Sequence, residues 1–174
     1  IAAAKWPSIR VLDVPNTAAD APASGFPSTE WKAVTPESIP SFSAVAYYFG
    51  RDLHQHLDVP IGLIACDVGA TAMEAWTSRE ALESNPTFKA RCDDSFALPV
   101  MKDDPVEYNR IKYYLDTRLF NGMIATVIPY AIRGVIWYQG ESNSGRADEY
   151  VELSHIMITD WRQQWGQGDF PFLF

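Results

Sequence analysis

Cysteine is scarce in this chain of 174 residues: there are two, Cys66 and Cys92. Two cysteines supply neither a disulfide framework nor a metal cluster. Cys66 closes an apolar run and reads as a buried thiol, so cysteine usage does not decide the compartment. Histidine is scarce too, with three in all. No H-x-x-x-H, C-x-x-C or calcium-loop spacing occurs, and no glycine loop of phosphate-cradling form, so the sequence calls for no metal and no cofactor. No apolar run approaches the roughly 20 residues needed to span a bilayer. No lysine-rich start leading into an apolar stretch, the form of a signal peptide, is visible. Lys and Arg number 14 against 22 Asp and Glu, a net charge of −8. A negative surface repels phosphate backbones and argues against a nucleic-acid partner.

What is present suits one domain with a sizeable core: 47% hydrophobic and 21% charged residues. Aromatics reach 13%, with six Trp and eight Tyr, which suits core packing first and stacking on sugar rings second. Both ends read as cut. Residue 1 is not Met, and Phe170-Pro171-Phe172-Leu173-Phe174 stops inside an apolar run of strand character. The expectation is a single domain over residues 1–174, truncated at both ends.

Ile9 to Val14 alternates as a short strand. Residues 15–29, rich in Ala, Pro, Ser and Asp, read as a loop. Ser41 is placed to cap a helix ending about Leu57, with Phe42, Val45, Phe49, Leu53 and Leu57 on its apolar period. Ile61 to Cys66 reads as a buried parallel strand. Thr77 and Glu80 have capping-box spacing before a short helix. Residues 85–103 show no clear period. Asp104-Pro105 has the form of a helix start, with the helix ending near Asn121-Gly122. A strand over residues 135–138, a helix over residues 147–165 stopped by Gly166, and a last strand over residues 170–174 complete the chain. Strands alternating with helices predict an α/β fold, a parallel sheet with helices on both faces. Ligands of such sheets sit beyond the carboxyl ends of the strands.

Two segments occupy that place. In Gly134-Val135-Ile136-Trp137-Tyr138-Gln139-Gly140-Glu141-Ser142-Asn143, an apolar strand gives way to a compact polar cluster. Such groups are costly to desolvate without partners. Gln139 is placed to aim its amide N–H at a developing oxyanion, with Glu141 and Asn143 orienting neighbours or touching substrate. The partner loop is Asp67-Val68-Gly69-Ala70-Thr71, where Gly69 lets a backbone N–H approach a ligand. Two other readings are weaker. Gly140 to Gly145 nearly matches a G-x-S-x-G elbow, but the second glycine falls one residue late. A Ser142 nucleophile also needs a base, and His54, His56 and His155 all fall on predicted helices. Asp67 and Glu141 invite a glycosidase-like carboxylate pair with no spacing to support it.

Trp137-Tyr138-Gln139-Gly140-Glu141-Ser142-Asn143 resembles the third sequence block of the SGNH hydrolases, specifically the sialate O-acetylesterase family. Pro60-Ile61-Gly62-Leu63-Ile64, then Gly69-Ala70-Thr71 and Glu74-Ala75-Trp76-Thr77-Ser78-Arg79, resemble its second block. Phe42-Ser43-Ala44-Val45 with Phe49-Gly50-Arg51, and Trp161-Arg162 with Phe170-Pro171-Phe172, resemble its framework segments. The resemblance runs from about Ile9 to Phe174 and implies a three-layer, flavodoxin-like α/β/α domain that removes acetyl groups from sugars by a serine mechanism.

That likeness puts the oxyanion hole at Gly69 and Gln139, with Asn143 the second choice for the amide. Glu141, Asn143, Ala70 and Thr71 bind substrate or support the site. It implies an O-acetylated sugar or glycan as partner, no cofactor, and a secreted or periplasmic setting. The family's Gly-Gln-Ser-Asn and Asp-x-x-His-Pro blocks, which carry nucleophile and base, do not occur here; they are expected outside residues 1–174. The second block usually reads Trp-Gly-Gly-Thr, so Ala70 takes the place of its second glycine. Asp67 stands where a small hydroxyl residue is usual. That substitution feeds the alternative reading, an inactive glycan-binding domain using Trp76, Trp137 and Tyr138.

Overall fold

A computed structural model describes residues 3–25, 29–97, 104–128 and 130–174. The chain divides into two compact units. One is built from Ile1–Pro15 and Phe26–Asp67, the other from Asn16–Gly25 and Val68–Phe174.

The first unit holds a three-stranded sheet. Strand β1 (Trp6–Asp13) lies between β2 (Lys32–Val34), its antiparallel neighbour, and β3 (Ile61–Ala65), its parallel one. The parallel register runs from Ile9 opposite Ile61 to Asp13 opposite Ala65. Helix α1 (Ala44–Leu57) connects β2 to β3. Its cap is Ser43, whose hydroxyl accepts from the Ala46 N–H at 3.3 Å, and not Ser41, which lies in a turn two residues earlier. The face it buries also differs from the expected stripe. Val45 and Leu57 are exposed, whereas Ala46, Tyr47 and Gly50 are buried. The cause is close packing: a Cβ on Gly50 would stand 2.7 Å from Leu63 Cδ1. Small residues let the helix sit down on β3, and the larger aliphatic side chains are left outside.

The second unit is mainly helical. A 3₁₀ turn, Met73–Trp76, is buried at all four positions. Helix α2 (Arg79–Glu83) is capped by Ser78, one residue beyond the expected Thr77. Thr77 instead donates its hydroxyl back to the Met73 carbonyl at 3.0 Å. Helix α3 (Pro86–Ala97) lies where the sequence shows no period; residues 98–103 of that stretch fall outside the described residues. Helix α4 (Pro105–Ile111) starts as expected, with Asp104 Oδ1 accepting from Val106 and Glu107 N–H at 3.0 Å each.

Helix α4 does not run to Gly122. A 3₁₀ turn, Lys112–Tyr114, ends it, and Thr117 adopts φ 66. A β-branched residue in the left-handed region is a backbone outlier and no helix passes through it. A π-helical turn, Phe120–Ile124, then runs into an α-helical turn, Ala125–Val127. The segment Asn16–Gly25 straps across this region: Ala19 N–H bonds the Arg118 carbonyl at 3.1 Å, and Ala23 N–H that of Asn121 at 2.9 Å. A Cβ on Gly122 would lie 2.1 Å from the Thr17 carbonyl oxygen, so glycine alone fits beneath the strap.

Strand β4 (Val135–Ile136) pairs in parallel with β5 (Phe172–Leu173), both shorter than the expected strands. Between them runs α5 (Ala147–Trp165), stopped by Gly166 at φ 61. Trp161 on α5 meets Trp137 edge-on, and Phe172, at ring-centre distances of 5.8 Å each. Both parallel ladders with their connecting helices make the protein α/β. No helix among the described residues is long and apolar enough to cross a membrane.

Candidate functional site

The turn after β3 and the loop after β4 meet within the second unit. In the turn, Ala70 adopts φ 60. That conformation brings Cβ against the backbone and costs a residue other than glycine roughly 1–2 kcal/mol. Gly69 faces open space, since a Cβ built there would meet nothing within 4 Å. Thr71, 4% exposed, closes the turn. Its hydroxyl donates to the Val68 carbonyl at 2.7 Å and accepts from the Trp76 indole N–H at 2.9 Å.

The loop after β4 reaches that turn through Gln139. Its Nε2 donates to the Thr71 carbonyl at 3.0 Å and to Asn143 Oδ1 at 2.8 Å. Asn143, 2% exposed, also accepts from the Met73 N–H at 2.9 Å and donates Nδ2 to Glu74 Oε2 at 2.8 Å. The chemistry of the partners fixes both amides. A backbone N–H needs an oxygen opposite it, and a carboxylate needs a donor, so Asn143 has one possible orientation. Its oxygen then demands Nε2 from Gln139, and the Thr71 carbonyl demands the same. Gln139 Oε1 is left to the Tyr150 hydroxyl at 3.1 Å.

Both N–H bonds of the Gln139 amide are therefore engaged. The expectation is an amide that aims an N–H at an oxyanion; in this structure Gln139 Nε2 fastens the two loops. Among the described residues no acceptor takes the main-chain N–H groups of Gly69 and Ala70. Those are the donors the turn leaves open beside its uncrowded face, and consecutive free N–H groups form a concavity suited to negative charge.

Glu74 was not singled out from sequence, although a carboxylate inside Met73-Glu74-Ala75-Trp76 is a signal that a partner must exist. It is 1% exposed. Arg146 bonds it, Arg91 Nη1 lies 3.2 Å from Oε1, and Glu149 bridges both arginines. Burial pushes the carboxyl up, but the hydrogen bonds from Arg146 and Asn143 outweigh it and hold it below the usual carboxylate range.

The other candidates are placed differently. Glu141 and Ser142 are exposed, and neither side chain forms a hydrogen bond among the described residues. Asp67 belongs to the first unit, where it adds to burial in raising the Asp13 carboxyl. Of the three aromatics considered for recognition, Trp76 is buried, Trp137 is half-buried and bonds the Tyr150 hydroxyl at 3.4 Å, and Tyr138 is 80% exposed. A separate groove of about 620 Å³ between α2 and α5 is bordered by His155 but by none of the residues of the 68–71 turn or the 139–143 loop. No group of three or more metal-ligating side chains occurs among the described residues.

Residues 34–174 match the family described as carbohydrate esterase, sialic acid-specific acetylesterase. The chain belongs to that family. It is 32% identical over 188 residues to a sialate O-acetylesterase of Pongo abelii, covering 97% of this chain and 33% of that protein. Similarity to the Homo sapiens sialate O-acetylesterase is 31% over the same length and coverage. To that of Mus musculus it is 35% over 155 residues, 76% of this chain and 28% of the relative. The crystal structure of a novel carbohydrate acetylesterase from Xanthomonas citri matches with a TM-score of 0.80 and 33% identity, over 98% of this chain and 34% of that one. The chain thus spans about a third of the length of the relatives it matches. The φ of 60 at Ala70 lies in a region that glycine adopts without strain.

Proposed function

We propose that the protein carrying this chain is a carbohydrate O-acetylesterase of the serine type. In this reading the present chain supplies main-chain oxyanion donors from Gly69 and Ala70. The Gln139–Thr71 hydrogen bond of 3.0 Å carries the proposal, because it joins the two loops while those N–H groups stay unclaimed. An acyl carbonyl seated on them would gain negative charge as a hydroxyl attacks, and donors already aligned for that charge lower the barrier. Thr71 and Asn143 support the turn, and Glu141 is free to meet substrate. The partner is an O-acetylated sugar, sialic acid or another acetylated glycan. Nucleophile and base are assigned to segments outside residues 1–174, and a secreted or periplasmic setting is part of the proposal on family likeness alone. Family membership favours this reading over an inactive glycan-binding domain.

The test is release of acetate from O-acetylated sialic acid and from p-nitrophenyl acetate, with the intact protein and with residues 1–174 alone. Turnover by the intact protein and none by the isolated chain is expected. Turnover by the isolated chain that Ser142→Ala abolishes would overturn the assignment of the nucleophile. An intact protein that binds acetylated glycans without releasing acetate would overturn the esterase itself.

A further inference from the structure

The route from the 68–71 turn to the 139–143 loop passes through two amides, and the group that orients them lies behind both. Glu74 is buried at the foot of the route and presents no atom to the open face of the turn. Its Oε2 accepts from Asn143 Nδ2, which turns Asn143 Oδ1 toward the Met73 N–H and Gln139 Nε2. Nε2 in turn reaches the Thr71 carbonyl, one residue past the left-handed Ala70. A strained backbone angle persists only where its surroundings over-determine it, and this chain of bonds holds the far end of the turn together with the Thr71 hydroxyl.

We propose that Glu74 is a positioning residue for the acyl site: its charge sets the donor–acceptor polarity of the chain Glu74–Asn143–Gln139–Thr71, and through it the aim of the Gly69 and Ala70 N–H groups. The catalytic part of this inference rests on the esterase reading above; the structural part does not. Arg146 and Arg91 both bond Oε1, so in Glu74→Gln the surviving oxygen is drawn to the arginines and the new NH₂ faces Asn143 Nδ2. Two donors then oppose each other. If Asn143 turns over, its NH₂ meets the Met73 N–H; if Gln139 follows, its oxygen meets the Thr71 carbonyl. One atom exchanged at residue 74 mismatches every later link. Asn143→Asp made together with Glu74→Gln restores the match, since the carboxylate introduced at position 143 accepts from the new amide at position 74, from the Met73 N–H and from Gln139 Nε2.

The experiment compares the intact wild-type protein, Glu74→Gln and the double variant by hydrogen exchange of the peptide containing Met73 and by acetyl-ester kinetics. Glu74→Gln is expected to speed exchange at the Met73 amide about tenfold. It is also expected to lower kcat about 10²-fold, the usual effect of a small misplacement, while KM changes little. The double variant regains most of both. Unchanged exchange and unchanged kcat in Glu74→Gln overturn the proposal, as does a double variant no better than the single. A Glu74→Gln protein that fails to fold beside a double variant that folds supports the same polarity argument; failure of both overturns it. Exchange that follows the expected pattern in a protein with no esterase activity would sink the esterase reading and leave the role of Glu74 in the fastening intact.

Discussion

Glu74 and Asp116 are two buried carboxyl groups of one compact unit, and both lie in the field of Arg91 and Arg146, yet they end in opposite states. Glu74 receives Asn143 and both arginines directly, and its carboxyl sits below the usual range. Asp116 Oδ2 receives no hydrogen bond among the described residues. Burial, then the nearby charge of Glu74, pushes Asp116 up to about 7, against the weaker pull of the arginines. Asp160 falls between them. The Ser78 N–H and hydroxyl bond it at 3.0 and 2.9 Å, yet burial still raises it. Depth alone does not decide the charge of a buried acid. Donors in contact do, and a full positive charge among them outweighs neutral ones.

Removing the paired acid is expected to give the largest loss. Glu74→Ala leaves Asn143 Nδ2 without its acceptor and the two arginines with Glu149 alone, and should cost about 3 kcal/mol in a denaturant titration. Next comes the following link: Gln139→Ala, which unfastens the loops, should lower kcat of the intact protein about 10²-fold. An unchanged kcat would detach Gln139 from the site.

Asp116→Asn should act with the opposite sign. With its pKa about 7 in the fold and near 3.8 when unfolded, native Asp116 holds its proton over a range where the unfolded chain has lost it. Stability therefore falls as pH rises from about 4 to about 7 and then levels. The variant should gain up to about 4 kcal/mol at pH 8, none near pH 4, and show a flatter melting profile between. Glu74, with its lowered carboxyl, contributes the reverse: its stabilisation is complete above the ordinary range and is lost on acidification. The smallest expected effect is Ala70→Gly, which relieves the left-handed alanine and should raise stability by about 1 kcal/mol while keeping the turn. A loss of stability there would mean that the alanine methyl packs in a way that repays its strain.

Much of the framework was legible because local chemistry and tertiary packing agree. Gly166 ends α5 and Asp104-Pro105 opens α4 where their side chains dictate. β1 and β3 are runs that bury residues such as Ile9, Val11 and Leu63. The failures have physical causes. α3 buries only Phe88 and Cys92, too few contacts to write a period. The break at Thr117 is held by a tertiary bond, its N–H on the Glu74 carbonyl at 2.9 Å, which no local pattern announces. At the site, residue types and strand-end positions pointed to the 68–71 turn and the 139–143 loop, which the bonds of Gln139 join. The task of Gln139 was not legible, because it depends on which atoms face its amide across 68 residues of chain.

The strap over the π-helical turn bears on synthesis. Asn121 bonds the Ala19 carbonyl across 102 residues, and the flanks of the strap belong to the other compact unit. A chain growing from its N-terminus delivers the strap long before the seat for it exists. Contacts of such span close late and slowly, so the π-helical turn and its glycine are expected among the last features to become protected as the nascent polypeptide matures.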